Sequence, residues 1–312
     1  MSSFPAPQIT VCMPARNAGR TILRAITSVL ASRHVARVVI RDDGSDDQTS
    51  EIVRAIDDRR VVLHPHRHSV GHGAAMNDAL RYVDTELVAR MDADDVSLPW
   101  RFSSQLLAFR DDDDFLFSPV FHFSDTGAWG RPQRLTPVSH RGAASRLLVE
   151  NPFMHPTMIA RTHALETLAG YRSVASEDYD LWLRAAGAGY SLRRTTIPVV
   201  AYRRHDAQLS RSASWSRARS ASPDVEAAFD ALARRELGWV PAWFSWRRAG
   251  FPRGAAPQGT DVDVERMLNH VHRLPIGDRI HLARRLRWIR ARAEVSGPGP
   301  RPPLSSSSRA TA

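Results

Sequence analysis

Along the first 125 residues the spacing of apolar positions keeps changing, from unbroken apolar runs to apolar residues three or four apart. "QITVCMP" reads as a buried strand ending near Pro14. The stretch from about Gly19 to Ala31 reads as a helix with Ile22, Ile26, Val29 and Leu30 on one face. "VARVVIRDDGSDD" is a second strand running into a turn, with "QTSEIVRAI" the helix after it. "RVVLHPH" and "ELVARMD" predict the third and fourth strands, followed by helices in "GAAMNDALRYV" and from about Pro99 to Phe109. This alternation predicts right-handed βαβ units, hence an α/β fold with a mostly parallel sheet flanked by helices.

The rhythm then breaks. Phe115 to Arg134 looks like strands and loops, and a second block runs from Gly142 to Ser210. Beyond Ser210 the composition shifts to Ser, Arg and Ala, with helices predicted near 224–237 and 261–294. The closing "SGPGPRPPLSSSSRATA" predicts disorder, because Pro, Ser and Gly leave nothing to bury.

Composition narrows the function classes. At 43% hydrophobic, 312 residues can build a sizeable core. No charged segment leads into a long apolar run at the start, and no run approaches the roughly 20 apolar residues of a membrane span, so a soluble, cytoplasmic protein is expected. The single cysteine, Cys12, excludes a disulfide framework and a cysteine zinc site. The net charge of +10 points first to nucleic acid, but all 43 basic residues are arginine, a compositional skew that weakens this reading, and no nucleic-acid partner is expected. The absence of lysine also counts against P-loop chemistry.

The acids at strand ends carry the candidate chemistry. In "VARMDADDVSLP", Asp92, Asp94 and Asp95 crowd behind the fourth strand, and ligands of such sheets lie beyond the carboxyl ends of the strands. Two carboxylates about 5 Å apart repel by roughly 3 kcal/mol at an effective dielectric near 20. That cost calls for water, a proton or a cation, and an oxygen-only ligand set favours Mg²⁺ or Mn²⁺. A solvated acidic turn is the competing reading. Asp111 to Asp114, which follow a helix, read as a solvated loop. In "RDDGSDD" an acid suits either a ribose or base contact or a helix cap. "MPARNAGRT" after strand one lacks the Gly-x-Gly-x-x-Gly of a dinucleotide fold. In "SEDYDLW", Ser176 reads as a cap and Glu177 and Asp178 as complements to the helix dipole, with Leu181, Trp182 and Ala185 packing inward. "HPHRH" offers His64, His66 and His68 as either metal ligands or an exposed strand end.

Seven segments in order, "MPARNAGRTILRAITSVL", "RDDGSDDQTSEIV", "VGHGAAMNDAL", "ARMDADDVSLPWRFSSQ", "NPFMHPTMIAR", "GYRSVASEDYDLWLR" and "YRRHDAQLS", resemble the family 2 glycosyltransferases of the GT-A fold, of the bacterial cell-surface polysaccharide type. The resemblance covers about Gln8 to Ser210. It implies an inverting, metal-dependent transferase using a UDP- or dTDP-sugar, Mn²⁺ or Mg²⁺, and a glycan or lipid-linked acceptor. It implies that Pro14, Ala15 and Asn17 line the nucleotide pocket and that Asp43 hydrogen-bonds the base. Asp92 would lie near the ribose and Asp94 on the metal, supported by Asp95, and Asp178 would be the base, with Glu177 secondary. His205 would contact the metal or diphosphate, and His155 either faces the acceptor or packs beneath it. Met76 stands where the family often has Arg, a contact that Arg67 or Arg90 would have to replace. The implied organisation is a flexible 1–7, a catalytic domain over 8–210, a mainly helical extension over 211–296 and a disordered tail over 297–312. Trp239, Trp243 and Trp246 beside Arg247 and Arg248 fit either a helix packed on the catalytic domain or peripheral contact with the inner face of the cell membrane. A non-catalytic nucleotide-sugar-binding protein and a nucleotidyltransferase are the alternatives.

Overall fold

A computed structural model of the protein describes residues 9–124, 128–133, 135–204, 222–252 and 256–294. The expected alternation is present: β1 (Ile9–Ala15), α1 (Ile22–Leu30), β2 (Val35–Asp42), α2 (Thr49–Arg54), β3 (Val61–Pro65), α3 (His72–Leu80) and β4 (Leu87–Arg90). There follow β5 (Val96–Ser97), α4 (Arg101–Ala108), β6 (Phe115–Phe117), β7 (Val120–Ser124), β8 (Trp129–Pro132) and α5 (His140–Val149). A 3₁₀ turn at 155–157 precedes β9 (Ile159–Arg161), α6 (Thr162–Thr167), α7 (Glu177–Ala188), β10 (Leu192–Arg194) and β11 (Val200–Arg204).

Seven strands form the main sheet in the order β10-β6-β9-β4-β1-β2-β3. Its pairs are parallel except where β9 runs against β4 and β6. Strand order reverses between β1 and β4, so their carboxyl ends open a crevice. β1 is buried on both faces, which is why its sequence is a continuous apolar run. Ile9, Val11 and Met13 pack with Ile22, Ile26 and Val29 of α1, whereas Cys12 faces Met76 and Ala79 of α3. A second sheet, β5-β11-β7-β8, stands beside the acid-bearing loop after β4.

The helical extension consists of α8 (Pro223–Leu237), α9 (Trp243–Arg248), α10 (Thr260–Val271) and α11 (Ile276–Glu294). The helix expected over 261–294 is two helices, because Pro275 disfavours helical geometry at Leu274. α9 is the packed helix that the tryptophans and arginines of this stretch allowed. Its Trp243 and Trp246 are buried with Val264, Met267, Leu282, Leu286 and Ile289, together with Val149 of α5. Trp239 is half-buried, with the Arg266 guanidinium 4.1 Å from its ring centre. These aromatics therefore hold helices together. Asp278 of α11 accepts from the Ser139 amide (3.1 Å) and hydroxyl (2.5 Å) at the start of α5 and from Arg146 Nε (3.1 Å) in its last turn.

Two local expectations are corrected. Asp111 and Asp112 are exposed, but Asp113 is buried and accepts from Arg193 Nε at 2.8 Å, while Asp114 accepts from the Ser191 amide at 2.8 Å. Half of that run is thus a structural anchor for β10. The three histidines of "HPHRH" diverge: His64 stacks on Tyr82 at 3.5 Å, His66 Nε2 lies 2.7 Å from Asp78, and His68 is exposed.

Candidate active site

A cleft of about 1110 Å³ opens at the reversal point. Pro14, Asn17 and Ala18 at the end of β1 form one wall. The backbone is held there by side chains: the Asn17 amide donates to Ser45 Oγ (2.9 Å), and Asn17 Oδ1 accepts from the Asp46 amide (2.9 Å). Ala15, expected in the pocket, is buried in β1 and does not line the cleft. Asp43 does not line it either. Its carboxylate accepts from Ser69 Oγ (2.6 Å), the Val70 amide (2.6 Å) and the Gly71 amide (3.1 Å). Burial works to raise its pKa, yet those bonds win and hold it below the usual carboxylate value. Asp43 thereby fixes the loop that leads into α3.

The three acids after β4 converge, with one oxygen of each of Asp92, Asp94 and Asp95 within 4.8 Å of the others. Asp92 and Asp94 line the cleft. Asp92 is paired with Arg90, whose guanidinium is buried and also lies 2.5 Å from His72 Nε2. Asp95 is buried beneath them, where its Oδ1 accepts from the Arg203 amide of β11 at 2.8 Å. Burial, then repulsion from Asp92 and Asp94, pushes the Asp95 pKa well up. Its other oxygen is buried and has no hydrogen-bond partner among the described residues. An oxygen-only set with one orphaned acceptor suits a hard divalent cation.

On the other side, α7 begins with Glu177 and Asp178. The inward face is as expected, with Leu181, Trp182 and Ala185 fully buried. Ser176, however, does not cap the helix. It adopts φ 66° and makes no side-chain cap bond, and its buried hydroxyl has no partner among the described residues. Asp178 accepts from Asn151 Nδ2 at 3.2 Å. Burial raises the Asp178 pKa; burial and then the Asp178 charge push Glu177 up to about 7. His72 Nε2 lies 4.0 Å from Glu177 Oε1. Burial and then Arg90 lower His72 to about 4, so it is a neutral acceptor for Arg90. His72, His155 and Glu177 also group within 4.8 Å, but the buried Arg90 cation against His72 opposes a second cation there.

His155 lines the cleft and is otherwise buried, its Nε2 2.8 Å from the Tyr171 hydroxyl and its ring edge-on to Trp182 at 5.7 Å. Met76 is buried, Arg67 is exposed and away from the cleft, and Arg90 lines it. His205 lies outside the described residues. Sequence reasoning missed Asn151, although it opens the quoted "NPFMHPTMIAR", and His72 in "VGHGAAMNDAL". It also missed Tyr202 and Arg203 of β11 and Arg16 and Arg20 after β1. Arg247 and Arg248 of α9 line the cleft too, with Arg247 donating to the Tyr179 hydroxyl at 2.6 Å.

Comparison with known proteins gives a consistent picture. Residues 10–168 match the family model described as "Glycosyl transferase family 2". The chain is 33% identical over 209 residues to the succinoglycan biosynthesis protein ExoU of Rhizobium meliloti, covering 61% of this chain and 60% of that protein. It is 26% identical over 208 residues to WfaP of Escherichia coli, a UDP-Glc:alpha-D-GlcNAc-diphosphoundecaprenol beta-1,3-glucosyltransferase, covering 65% of this chain and 79% of that one. The fold is shared with the Staphylococcus aureus TarS fragment in complex with UDP-GlcNAc (TM-score 0.60, 18% identity, 93% of this chain and 89% of that one). It is also shared with the Pyrobaculum calidifontis mannosyltransferase PcManGT in complex with GDP-Man and Mn²⁺ (TM-score 0.54, 17% identity, 93% and 85%).

Proposed function

Because the chain belongs to glycosyl transferase family 2, we propose that its cleft moves a sugar from a nucleoside-diphosphate donor, UDP- or dTDP-linked, to a hydroxyl of a glycan or lipid-linked acceptor in cell-surface polysaccharide synthesis. One observation carries the reading: a single cleft brings Asp92 and Asp94 together with Asp178, Pro14 of β1 and Asn17 just after it. Support for the substrate classes comes from the UDP-Glc and diphosphoundecaprenol in the name of WfaP and the ligands of TarS and PcManGT.

The nucleotide lies against Pro14 and Asn17, with Asp92 toward the ribose. Asp43 shapes the base end through Ser69, Val70 and Gly71, and its Oδ1, which accepts only from Val70 among the described residues, keeps a lone pair for the base. Asp94, with His205, holds Mn²⁺ or Mg²⁺, and Asp95 supports them from below. A cation held there would supply Lewis-acid neutralisation of the charge that builds on the departing diphosphate. Asp178, held by Asn151, takes the proton of the acceptor hydroxyl. That oxygen bonds to the anomeric carbon as the carbon–phosphate-oxygen bond breaks on the opposite face, its electron pair leaving with the nucleoside diphosphate, so the anomeric centre inverts. Glu177, titrating near 7, stays largely protonated beside Asp178 at slightly acid pH. Residues 8–210 are the catalytic domain in this reading, and 211–296 the extension that closes the cleft with Arg247 and Arg248.

The test is a thermal-shift screen of nucleotide sugars with Mn²⁺, followed by transfer assays and assignment of the product's anomeric configuration. Binding without turnover on any acceptor would make the protein a nucleotide-sugar binder. Release of pyrophosphate from a nucleoside triphosphate and a sugar phosphate would make it a nucleotidyltransferase.

A further inference from the structure

The outward face of α11 combines exposed apolar side chains with arginines. Ile276, Ile280 and Trp288 are 66%, 54% and 43% exposed, and Arg284 and Arg287 are exposed among them. At about 100° per residue these five positions span an arc of about 120°. The opposite side is the buried one, with Leu282, Leu286 and Ile289 in the core of the extension. Single exposed apolar residues are ordinary, but here three share one helix face.

Charge decides what fits it. Three of the acids that α11 places or meets are already used: Asp278 is buried against Arg146, Glu150 accepts from His281, and Glu265 pairs with Arg290; Glu294, the last residue of the helix, is exposed. Arg284 and Arg287 have no ion pair among the described residues. The arc contains one carboxylate, Glu294 at the helix end, against the two arginines, and none from Ile276 to Ala291. The Trp288 indole is fixed, with the Arg285 guanidinium 4.2 Å from its ring centre and Phe251 edge-on at 5.2 Å. A nucleic acid would use the arginines and leave the isoleucines wet. No helix of the described residues is long and apolar enough to cross a membrane, so any bilayer contact made by α11 is in the interface plane. An anionic lipid surface takes both halves of the pattern, headgroups pairing with guanidinium groups while Ile and Trp enter the acyl boundary.

We propose that α11 docks the protein on an anionic bilayer through Ile276, Ile280 and Trp288 with Arg284 and Arg287. The docking rests on the proposed transfer only for its purpose, delivery of the cleft to a lipid-linked acceptor. Its evidence is read without substrate, so vesicle binding and sugar transfer fail independently.

The experiment is co-sedimentation of the full chain with vesicles of phosphatidylcholine containing about one third phosphatidylglycerol, against pure phosphatidylcholine. Uptake should need phosphatidylglycerol and weaken as salt is raised above about 0.1 M. Arg284→Gln/Arg287→Gln should lower the partition coefficient roughly thirtyfold, about fivefold for each charge. Ile280→Asn/Trp288→Gln should lower it roughly tenfold at unchanged charge. The exposed pair Arg33→Gln/Arg54→Gln, with the same charge change elsewhere, should stay within about twofold. All variants should keep the parent's melting temperature. Equal uptake by neutral vesicles, an equal loss in the Arg33/Arg54 control, or unchanged binding by the α11 variants overturns the proposal. So does a dimer in sedimentation equilibrium that these same α11 substitutions abolish, since the face would then belong to a second copy.

Discussion

The Arg90 guanidinium is buried against the Asp92 carboxylate, and on its other side it meets the neutral imidazole of His72. This one cation links the acids after β4 to the α7 acids, since His72 in turn lies 4.0 Å from Glu177. Removing it in Arg90→Met leaves Asp92 without its partner. Because Asp92 keeps some contact with water, the expected loss is at the low end for a broken buried pair, about 3 kcal/mol in urea unfolding. His72, held at about 4 by burial and then by Arg90, should titrate higher in this variant by NMR.

Asp178→Asn keeps the hydrogen bond with Asn151 within reach but removes the proton acceptor. Transfer should fall by about 10²–10⁴-fold, the usual contribution of a positioned base. Nucleotide binding by calorimetry should stay within about twofold, because on the proposed reading the base faces the acceptor. Unchanged turnover would remove Asp178 from its role.

Asp94→Asn removes one oxygen charge from the converging trio while leaving the buried Asp95–Arg203 bond in place. Mn²⁺-dependent nucleotide affinity should drop by about tenfold or more, with little change in metal-free binding. Identical Mn²⁺ titrations for variant and parent would end the metal assignment.

Glu177 carries a pH dependence of stability. Its folded pKa is pushed up to about 7, above the ordinary glutamate value of 4.5, so between these limits the native state binds more protons than the unfolded one. Stability therefore falls as pH rises through this window, by roughly 3 kcal/mol at most. Glu177→Gln should flatten that slope and be relatively more stable than the parent at pH 8 than at pH 5, read as melting temperature across pH. A parallel pair of curves would show that Glu177 ionises normally.

At Gly142 of α5, Asp278 of α11 packs directly against the backbone. A Cβ there would lie 2.3 Å from Asp278 Cγ, so Gly142→Ala must displace a carboxylate that is buried against Arg146. We expect destabilisation of about 3 kcal/mol, from strain plus damage to the pair. Asp278→Ala, which leaves Arg146 with the half-exposed Glu150 alone, should cost about as much, and the double variant less than the sum of the two.

Period and turn chemistry made β1 to β4 and their helices legible, because a two-sided buried strand has to be a continuous apolar run and an amphipathic helix has to repeat near 3.6. They also placed Asp43, Asp92 and Asp94 at strand ends facing one crevice, which Asp92 and Asp94 line and Asp43 does not, while only the family resemblance singles out Asp178. Sequence could not separate two acid runs of similar density. "DADD" follows a strand at the reversal point and lines the cleft in part, whereas Asp113 of "DDDD" is buried against Arg193 from 80 residues away. Nor could it choose a place for the tryptophans and arginines of α9. Trp243 and Trp246 turn inward to the helical core, and this carries Arg247 and Arg248 to the cleft wall.

By itself, then, the sequence determined the βαβ order, the strand ends that bear acids and the family likeness, since each depends on local spacing. Only the tertiary structure decided that Asp43 fastens a loop, that Asp95 lies beneath its neighbours, that Arg90 joins the two acid groups and that α11, not the tryptophan-rich α9, shows an apolar and basic face to solvent. Those assignments depend on which residues distant in the chain share burial and charge, and no local pattern encodes that.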